Sequence, residues 1–233
     1  MNNAPYQLLI TGANRGIGLE FVRQYAAAGY RVFACCREPH HAVALTSLAA
    51  SSGERISLHR LDVSDFRQIE QLAADLHGQA IDLLINNAGI YPNAAFGSLD
   101  YDAWHKAFLI NTMAPAKTLE CFVEHLAASR LRKVATLSSK MGSIADNGSG
   151  GSTLYRSSKA ALNMVMKNLA IELKHLGIAT CTLHPGWVKT DMGGANALIT
   201  AEQSVAGMRQ VIDRLTAQNS GRFTGYDGQE IPW

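Results

Sequence analysis

The sequence has few of the patterns that indicate a metal centre or a disulfide framework. Its four cysteines, Cys35, Cys36, Cys121 and Cys181, form no Cys-x-x-Cys pair, and none of its eight histidines has His-Glu-x-x-His spacing. Zinc sites and dithiol redox motifs usually carry those spacings. We therefore expect buried, reduced thiols and no bound metal.

Long apolar runs and an excess of one charge are also absent. No run approaches the ~18 apolar residues that a membrane-spanning helix needs, and the opening MNNAPYQLLITG lacks the basic and apolar regions of a secretory signal. The 21 lysines and arginines are scattered and nearly balance 19 acidic residues. We expect a cytoplasmic protein that binds a small molecule, with neither a nucleic acid nor a membrane as partner.

Short apolar runs rich in β-branched residues alternate with longer stretches of helical spacing along all 233 residues. This alternation predicts βαβ units, a parallel sheet of about seven strands and helices on both faces. A single doubly wound α/β domain of the Rossmann type over 1–233 is the expected fold. The predicted strands are Gln7 to Thr11, Arg31 to Cys35, Ile56 to Leu61, Leu83 to Asn86, Lys133 to Leu137, Thr180 to His184 and Arg222 to Tyr226.

A glycine-rich turn, ITGANRGIGLE, follows the first predicted strand and leads into a helical pattern. Its glycines would permit the turn, the approach of a diphosphate and close helix packing, and free N–H groups at the helix start favour an anion. The alternative is a tight turn without a ligand. The predicted dinucleotide-binding residues of this turn are Gly12, Asn14, Arg15, Gly16, Ile17 and Gly18.

The end of the second predicted strand indicates which dinucleotide binds. An NAD site normally has an acidic residue there, which accepts hydrogen bonds from the adenosine ribose. This sequence has Cys36 instead, followed by Arg37. Arg15 and Arg37 could chelate a 2′-phosphate through charge-assisted bonds of ~1.5–3 kcal/mol each. We therefore expect NADP(H), the alternative being two solvated surface arginines.

Tyr155 and Lys159 are four residues apart in a stretch of helical spacing, so they share a helix face. An ammonium about 5 Å from a phenolate favours it by ~3.3 kcal/mol at an effective dielectric of 20, which is roughly two and a half pK units. This effect would bring the pKa of the tyrosine toward neutrality, where acid-base catalysis is most effective. The spacing alone is common by chance, and its alternative is an exposed helix pair.

Together these motifs resemble the short-chain dehydrogenase/reductase family over nearly the whole chain. The resemblance rests on Thr11-Gly12-x-x-x-Gly16-x-Gly18, Asn86-Asn87-Ala88-Gly89, Asn111, Tyr155-x-x-x-Lys159 with an upstream serine, and Pro185-Gly186. It implies that Tyr155 protonates the substrate oxygen as hydride arrives, that Lys159 lowers the pKa of Tyr155 and holds the nicotinamide ribose, and that Asn111 holds a water between Lys159 and solvent.

The same resemblance implies further cofactor contacts. Asp62 and Val63 would flank the adenine, Asn87, Ala88 and Gly89 would lie under the adenosine ribose, and the nicotinamide side would meet Pro185, Gly186, Val188 and Thr190. In this family, basic residues at the positions of Arg15 and Arg37 mark NADP preference.

Two features depart from the family's common pattern. Ser139, the serine expected to orient the substrate carbonyl, lies sixteen positions before Tyr155, whereas Ser143 lies twelve before it. We favour Ser139 because it begins a Ser-x-x-Gly motif directly after a strand, and Ser143 stays open. Little sequence separates Asp191 from the next helix, which is expected near Ala201, so the substrate loop is short and the pocket open.

Within the family, the ending, the Tyr-Arg-Ser-Ser-Lys form and the opening turn are most similar to the branch of C-factor and the carbonyl reductase called sniffer. That branch implies NADPH-dependent reduction of a small ketone, aldehyde or quinone. The alternatives are an NAD-dependent alcohol dehydrogenase and an NAD(P)-binding signalling protein of C-factor type. The family also implies a homodimer or homotetramer, formed by helices around 111–128 and 157–174.

Overall fold

The computed structural model describes residues 4–233. The first three residues, part of the stretch in which we expect no secretory signal, lie outside the described residues. Seven strands form one sheet, and all neighbouring strands are parallel. The strands are β1 (Gln7–Thr11), β2 (Arg31–Cys36), β3 (Ile56–Arg60), β4 (Leu83–Asn86), β5 (Lys133–Leu137), β6 (Ala179–His184) and β7 (Arg222–Gly225).

The strand order is β3-β2-β1-β4-β5-β6-β7. Strand β1 lies in the middle, with Ile10 opposite Ala34 of β2 on one side and Ile85 of β4 on the other. The chain reverses its direction of winding between β1 and β4, and such a switch opens a crevice at the carboxyl ends of the strands. The predicted doubly wound α/β fold is confirmed.

Residues 4–233 contain seven α-helices, and apolar cores lie on both faces of the sheet. One apolar core includes Phe21 of α1 and Met208 of α7, and the other includes Phe122 of α5 and Leu162 of α6. Burial on both faces explains why the strands are apolar along most of their length. The helices are α1 (Gly16–Ala27), α2 (Val43–Ala50), α3 (Phe66–Asp75), α4 (Tyr101–Phe108), α5 (Ala114–Ala127), α6 (Thr153–Glu172) and α7 (Ala201–Asp213).

The predicted strands agree closely with the observed ones. Strands β1, β4 and β5 have the predicted bounds, and the other four differ by one residue at one end. The helix expected near Ala201 begins there, because Thr200 and Gln203 form a reciprocal capping box at its start. The loop between Asp191 and α7 is accordingly short.

Residues 4–233 have neither a candidate membrane span nor a cluster of metal-ligating side chains. Between residues 4 and 233, no helix is both long and apolar enough to cross a bilayer. The same residues include no group of three or more histidine, cysteine, aspartate or glutamate side chains arranged to hold a metal ion.

Candidate active site

The structure brings the predicted site residues together at one edge of the sheet. The glycine turn follows β1, Arg37 follows β2, and Asp62 and Val63 follow β3. Asn87 to Gly89 follow β4, Ser139 follows β5, and Pro185 to Thr190 follow β6. Because parallel strands end at the same edge, residues far apart in sequence line one crevice.

Two glycines of the turn are required by close backbone packing. Gly12 has a φ of +68°, and a Cβ there would lie 2.9 Å from the Cα of Ala88. At Gly18 a Cβ would lie 2.6 Å from the Asn87 amide nitrogen and closer still to the carbonyl oxygen of Gly12. A side chain at either position would separate the turn from the segment after β4.

Thr11 and Asn87 hold the turn against that segment. The Thr11 hydroxyl accepts hydrogen bonds from the main-chain N–H groups of Asn87 and Ala88, both at 3.1 Å. The Asn87 amide donates in return to the carbonyls of Thr11 at 2.9 Å and Gly12 at 3.0 Å. These four bonds fix the two sides of the crevice relative to each other.

The start of α1 offers main-chain donors to an anion. Arg15 is the N-cap residue and makes no side-chain capping bond, and no acidic residue occupies the first turn. The first N–H groups of a helix have no intrahelical acceptor, and the helix dipole favours negative charge there. Together with the glycine turn, this donor set fits the diphosphate of a dinucleotide.

The two arginines expected at a 2′-phosphate follow the neighbouring strands β1 and β2 at this edge of the sheet. Arg37 is exposed just beyond β2. Burial acts to raise the pKa of the Asp62 carboxyl, but hydrogen bonds from Ser64 and the charge of Arg37 outweigh it and lower that pKa. Arg15 donates to Asp191 at 2.6 Å, and both side chains are largely exposed. Arg15 therefore joins the glycine turn to the loop after β6.

Tyr155 and Lys159 lie on one face of α6, as predicted. Tyr155 is 8% exposed and Lys159 is 5% exposed. The hydroxyl of Ser139 is near enough to the Tyr155 hydroxyl to lower its pKa. The ammonium of Lys159 lies 5.9 Å from the centre of the Tyr155 ring and donates to the carbonyl of Leu137 at 2.8 Å.

The expected lowering of the Tyr155 pKa is not found in this structure. Burial raises the pKa of Tyr155 to about 12, partly offset by the Ser139 hydroxyl and increased further by Tyr91. Burial also lowers the pKa of Lys159 to about 8. Attraction to the Lys159 charge does not determine this pKa, because the cost of burying the phenolate is the largest effect here. Tyr155 is consequently fully protonated at neutral pH.

Asn111 lies in a π-helical turn, Leu109–Met113, between α4 and α5. Its side-chain amide accepts from the N–H of Ile90 and donates to the carbonyl of Ile90, both at 2.9 Å, and donates to the Ser158 hydroxyl at 3.0 Å. Both the oxygen and the nitrogen of the Asn111 side chain are therefore hydrogen-bonded to other groups of the protein. A Cβ on Gly89 would be 3.2 Å from the Asn111 oxygen and 3.7 Å from the Lys159 ammonium, so these three residues adjoin.

Ser139 and Ser143 occupy different environments. Ser139 begins a short 3-10 helix beside Tyr155, and its hydroxyl accepts from the N–H of Met141 at 3.2 Å. The Ser143 hydroxyl donates to the main-chain oxygen of Trp233 at 3.4 Å and accepts from the N–H of Asp146 at 3.1 Å. Of the two, Ser139 is the one whose hydroxyl lowers the pKa of Tyr155.

Gly142, the last residue of the Ser-x-x-Gly motif, permits close packing of this 3-10 helix on α6. A Cβ there would lie 2.8 Å from both the carbonyl carbon and the Cβ of Lys159. The glycine therefore sets the distance between the loop that carries Ser139 and the helix that carries Tyr155 and Lys159.

Gly142→Ala is expected to destabilise the protein. Overpacking of this kind costs ~1–3 kcal/mol, which corresponds to a Tm lower by roughly 3–10 °C for a chain of this size. Gly148→Ala is the matched control, because no atom lies within 4 Å of a Cβ at that position. Calorimetry on both variants measures the difference, and equal Tm values for Gly142→Ala and wild type would contradict this packing account.

The loop after β6 completes the site on the nicotinamide side. Gly186 has a φ of +83°, and a Cβ there would lie 2.7 Å from Ile199. Val188 is buried and forms a parallel bridge with Ile199. Thr190 packs against Gly16, with its methyl group 3.2 Å from a Cβ built there. The loop therefore contacts the glycine turn directly.

The sequence did not identify three residues that the structure adds to the site. The buried hydroxyl of Thr11 organises the crevice, and Ser158 supports Asn111. Tyr91 stacks edge-on against Tyr155, with ring centres 4.6 Å apart. Thr11 stood inside the glycine motif and could have been selected from it, whereas Tyr91 is one of seven tyrosines and its sequence context carries no such signal.

Comparison with known proteins identifies the family. The family described as short chain dehydrogenase matches residues 7–198. The chain therefore belongs to the short-chain dehydrogenase family of oxidoreductases, and it has the fold of that family. The family resemblance predicted from the motifs is confirmed.

Particular relatives agree with the predicted branch. C-signal of Myxococcus xanthus is 46% identical over 154 residues, which are 66% of this chain and 93% of that protein. The carbonyl reductase Sniffer of D. melanogaster superposes with a TM-score of 0.92 at 32% identity, covering 99% of this chain and 100% of that one. An NADPH-bound carbonyl reductase from chicken fatty liver superposes with a TM-score of 0.91 at 34% identity, covering 98% and 99%.

Proposed function

We propose that this protein is an NADPH-dependent reductase of a small ketone, aldehyde or quinone. The observation that carries the proposal is the convergence of Ser139, Tyr155 and Lys159 beside a crevice with the donor set of a dinucleotide site. The similarity to carbonyl reductases, one of them bound to NADPH, supports it. The same site can oxidise an alcohol when the reaction runs in reverse.

Individual residues have distinct tasks toward the cofactor. The turn from Gly12 to Gly18 and the start of α1 would hold the diphosphate, and Arg15 and Arg37 the 2′-phosphate. Asp62 and Val63 would hold the adenine, and the loop from Pro185 to Thr190 the nicotinamide side. When bound, NADPH supplies the hydride that reduces the carbonyl carbon. Cys36 occupies the position at the end of β2 where an NAD site has an acidic residue, so no carboxylate there would repel the 2′-phosphate.

The remaining chemistry is performed by the chain itself. The hydroxyls of Ser139 and Tyr155 orient the carbonyl oxygen, and Tyr155 donates its proton to that oxygen. Its raised pKa keeps this proton in place at neutral pH. Lys159 is the nearby cation that can stabilise the phenolate left behind, and Gly89 and Asn111 border its ammonium.

This arrangement predicts the pH dependence of carbonyl reduction. Lys159 is charged below its pKa of about 8 and loses its charge above it, while Tyr155, with a pKa of about 12, stays protonated. We expect kcat/KM for reduction to fall as the pH rises through about 8, since this ratio reports the ionisations of the free enzyme. Steady-state rates across pH measure the effect.

Lys159→Arg is the matched variant for the pH profile. Arginine stays protonated throughout this range, so the decrease near pH 8 should disappear even if the absolute rate is lower. A wild-type profile that is flat through this region, or a decrease that survives in Lys159→Arg, would assign the ionisation to another group.

A second candidate function is suggested by the similarity to C-signal. In this alternative, occupancy by NAD(P) matters for signalling more than turnover does. The preserved Ser139, Tyr155 and Lys159 favour the enzyme, because a protein that only binds the cofactor needs no proton donor. Tyr155→Phe discriminates the two: a biological effect unchanged by loss of turnover would favour signalling.

An NAD-dependent alcohol dehydrogenase is a further alternative. Comparing the affinities of this protein for NADPH and NADH tests it.

For the oligomeric state, we propose a homodimer or homotetramer formed through the helices around 111–128 and 157–174. Their exposed apolar side chains include Met113, Met164 and Ile171, and light scattering on the purified protein gives the mass.

A further inference from the structure

Helix α6 begins in a conformation that its sequence does not favour. Gly150 and Gly151 have φ values of +63° and +70°, and Ser152 has a φ of +46° and a ψ of +41°. Glycine adopts this left-handed region readily, whereas a residue with a Cβ is strained in it. Ser152 is the N-cap residue, yet its side chain makes no capping bond. Capping therefore does not explain the strained serine.

The Ser152 hydroxyl has a different partner. It lies 2.8 Å from the hydroxyl of Tyr91, in the segment that follows β4. The ring of Tyr91 packs edge-on against Tyr155 at 4.6 Å, with an angle of 65° between the ring planes. Tyr91 thus contacts both the N-cap of α6 and the tyrosine three residues further along the same helix.

The main chain next to Tyr91 is also held in place by hydrogen bonds. The preceding residue, Ile90, exchanges two hydrogen bonds of 2.9 Å with the side-chain amide of Asn111. Asn111 is fully buried and holds the Ser158 hydroxyl on α6. The main chain at Tyr91 is therefore tied to the same helix at a second point, one turn beyond Tyr155.

We propose that Tyr91 and Ser152 are positioning residues that keep the Tyr155 hydroxyl next to the Ser139 hydroxyl. The hydrogen bond between their hydroxyls holds the first turn of α6 in the strained conformation. The Tyr91 ring packs edge-on against the Tyr155 ring and limits its movement. Without the pair, the first turn relaxes at Ser152 and the Tyr155 hydroxyl moves away from Ser139. The inference rests on the proposed function of Tyr155 as proton donor.

Other hydrogen bonds also hold the start of α6. Trp104 donates to the Ser157 hydroxyl at 2.8 Å, and the Arg156 side chain donates to the carbonyls of Gly150 at 3.1 Å and Met141 at 3.3 Å. These bonds hold the start of α6 on the protein when a hydroxyl is removed. Variants of Tyr91 and Ser152 are therefore expected to fold.

The test compares Tyr91→Phe, Ser152→Ala and the double variant in carbonyl reduction at saturating NADPH. Each single change should lower kcat about fivefold, the effect of one net hydrogen bond, with KM and the NADPH Kd unchanged. The double variant should be no slower than the singles, because both changes break one interaction. Tyr6→Phe is the control: Tyr6 has similar exposure, 37% against 40% for Tyr91, and lies before β1 at the opposite edge of the sheet.

Hydrogen–deuterium exchange supplies a readout that needs no turnover. The N–H of Arg156 bonds to the carbonyl of Ser152 at 2.9 Å, and its exchange should be faster in Tyr91→Phe than in wild type or Tyr6→Phe. Unchanged exchange, an unchanged kcat in Tyr91→Phe, or kcat losses that multiply in the double variant would overturn the inference. A wild-type protein that reduces no carbonyl would overturn the proposed function instead, while the exchange result still decides whether the pair fastens α6.

Discussion

Replacing Tyr155 with phenylalanine is expected to lower kcat for carbonyl reduction by ~10²–10⁴-fold, the usual contribution of a positioned acid. The change removes the proton donor and keeps the buried ring, which lies against Tyr91. The affinity for NADPH should fall by no more than about fivefold, the effect of one net hydrogen bond among the many groups that would hold the cofactor. Steady-state rates and a fluorescence titration with NADPH measure the two quantities.

Tyr25→Phe is the matched control for this prediction. Tyr25 is 1% exposed, and its hydroxyl has no hydrogen-bond partner among the described residues. Removing that hydroxyl should leave kcat unchanged, which separates the chemistry of Tyr155 from the general effect of altering a buried tyrosine. If Tyr155→Phe kept more than a tenth of the wild-type kcat, another group would have to supply the proton.

The second large effect is expected at the arginines of the 2′-phosphate site. Arg15→Ala and Arg37→Ala should each weaken NADPH binding by roughly 10- to 150-fold, because each removes a charge-assisted bond of ~1.5–3 kcal/mol. NADH lacks the 2′-phosphate, so its affinity should change little. Titrating both cofactors into both variants measures the preference directly. A preference for NADH, unaltered in Arg15→Ala, would defeat the NADP assignment.

Two further variants make the arginine experiment specific. Arg214→Ala is the control, because Arg214 is exposed at the end of α7, near the start of β5, where Lys133 bonds the last carbonyls of that helix. Asp191→Asn should instead strengthen NADPH binding two- to fivefold. Asp191 holds the Arg15 guanidinium at 2.6 Å, and an exposed ion pair of this kind is worth up to about 1 kcal/mol.

Local sequence patterns were sufficient to predict the sheet and to select candidate site residues that the fold places at one edge of it. Strands buried on both faces are continuous apolar runs, so β1, β4 and β5 could be bounded to the residue. The glycine turn was predictable because Gly12 and Gly18 leave no room for a side chain. Tyr155 and Lys159 were predictable because four residues of helix place two side chains on one face.

Other features depend on contacts between distant segments. The π-helical turn at Asn111 satisfies Ile90 and Ser158, residues 21 and 47 positions away. The pairs Arg15–Asp191 and Tyr91–Ser152 join loops that the topology brings together, and no local sequence pattern predicts them. The pKa of Tyr155 was predicted in the wrong direction, because burial depends on packing around the whole residue.

The most direct test of the proposed function measures NADPH oxidation by the purified protein in the presence of a panel of ketones, aldehydes and quinones. The same assay is run with NADH in place of NADPH and with the Tyr155→Phe variant in place of the wild type. The proposed function predicts that at least one carbonyl compound is reduced, faster with NADPH than with NADH, and that Tyr155→Phe binds NADPH but turns over at least ~100-fold more slowly. A protein that binds neither cofactor, or a Tyr155→Phe variant that keeps more than about a tenth of the wild-type turnover, would contradict it.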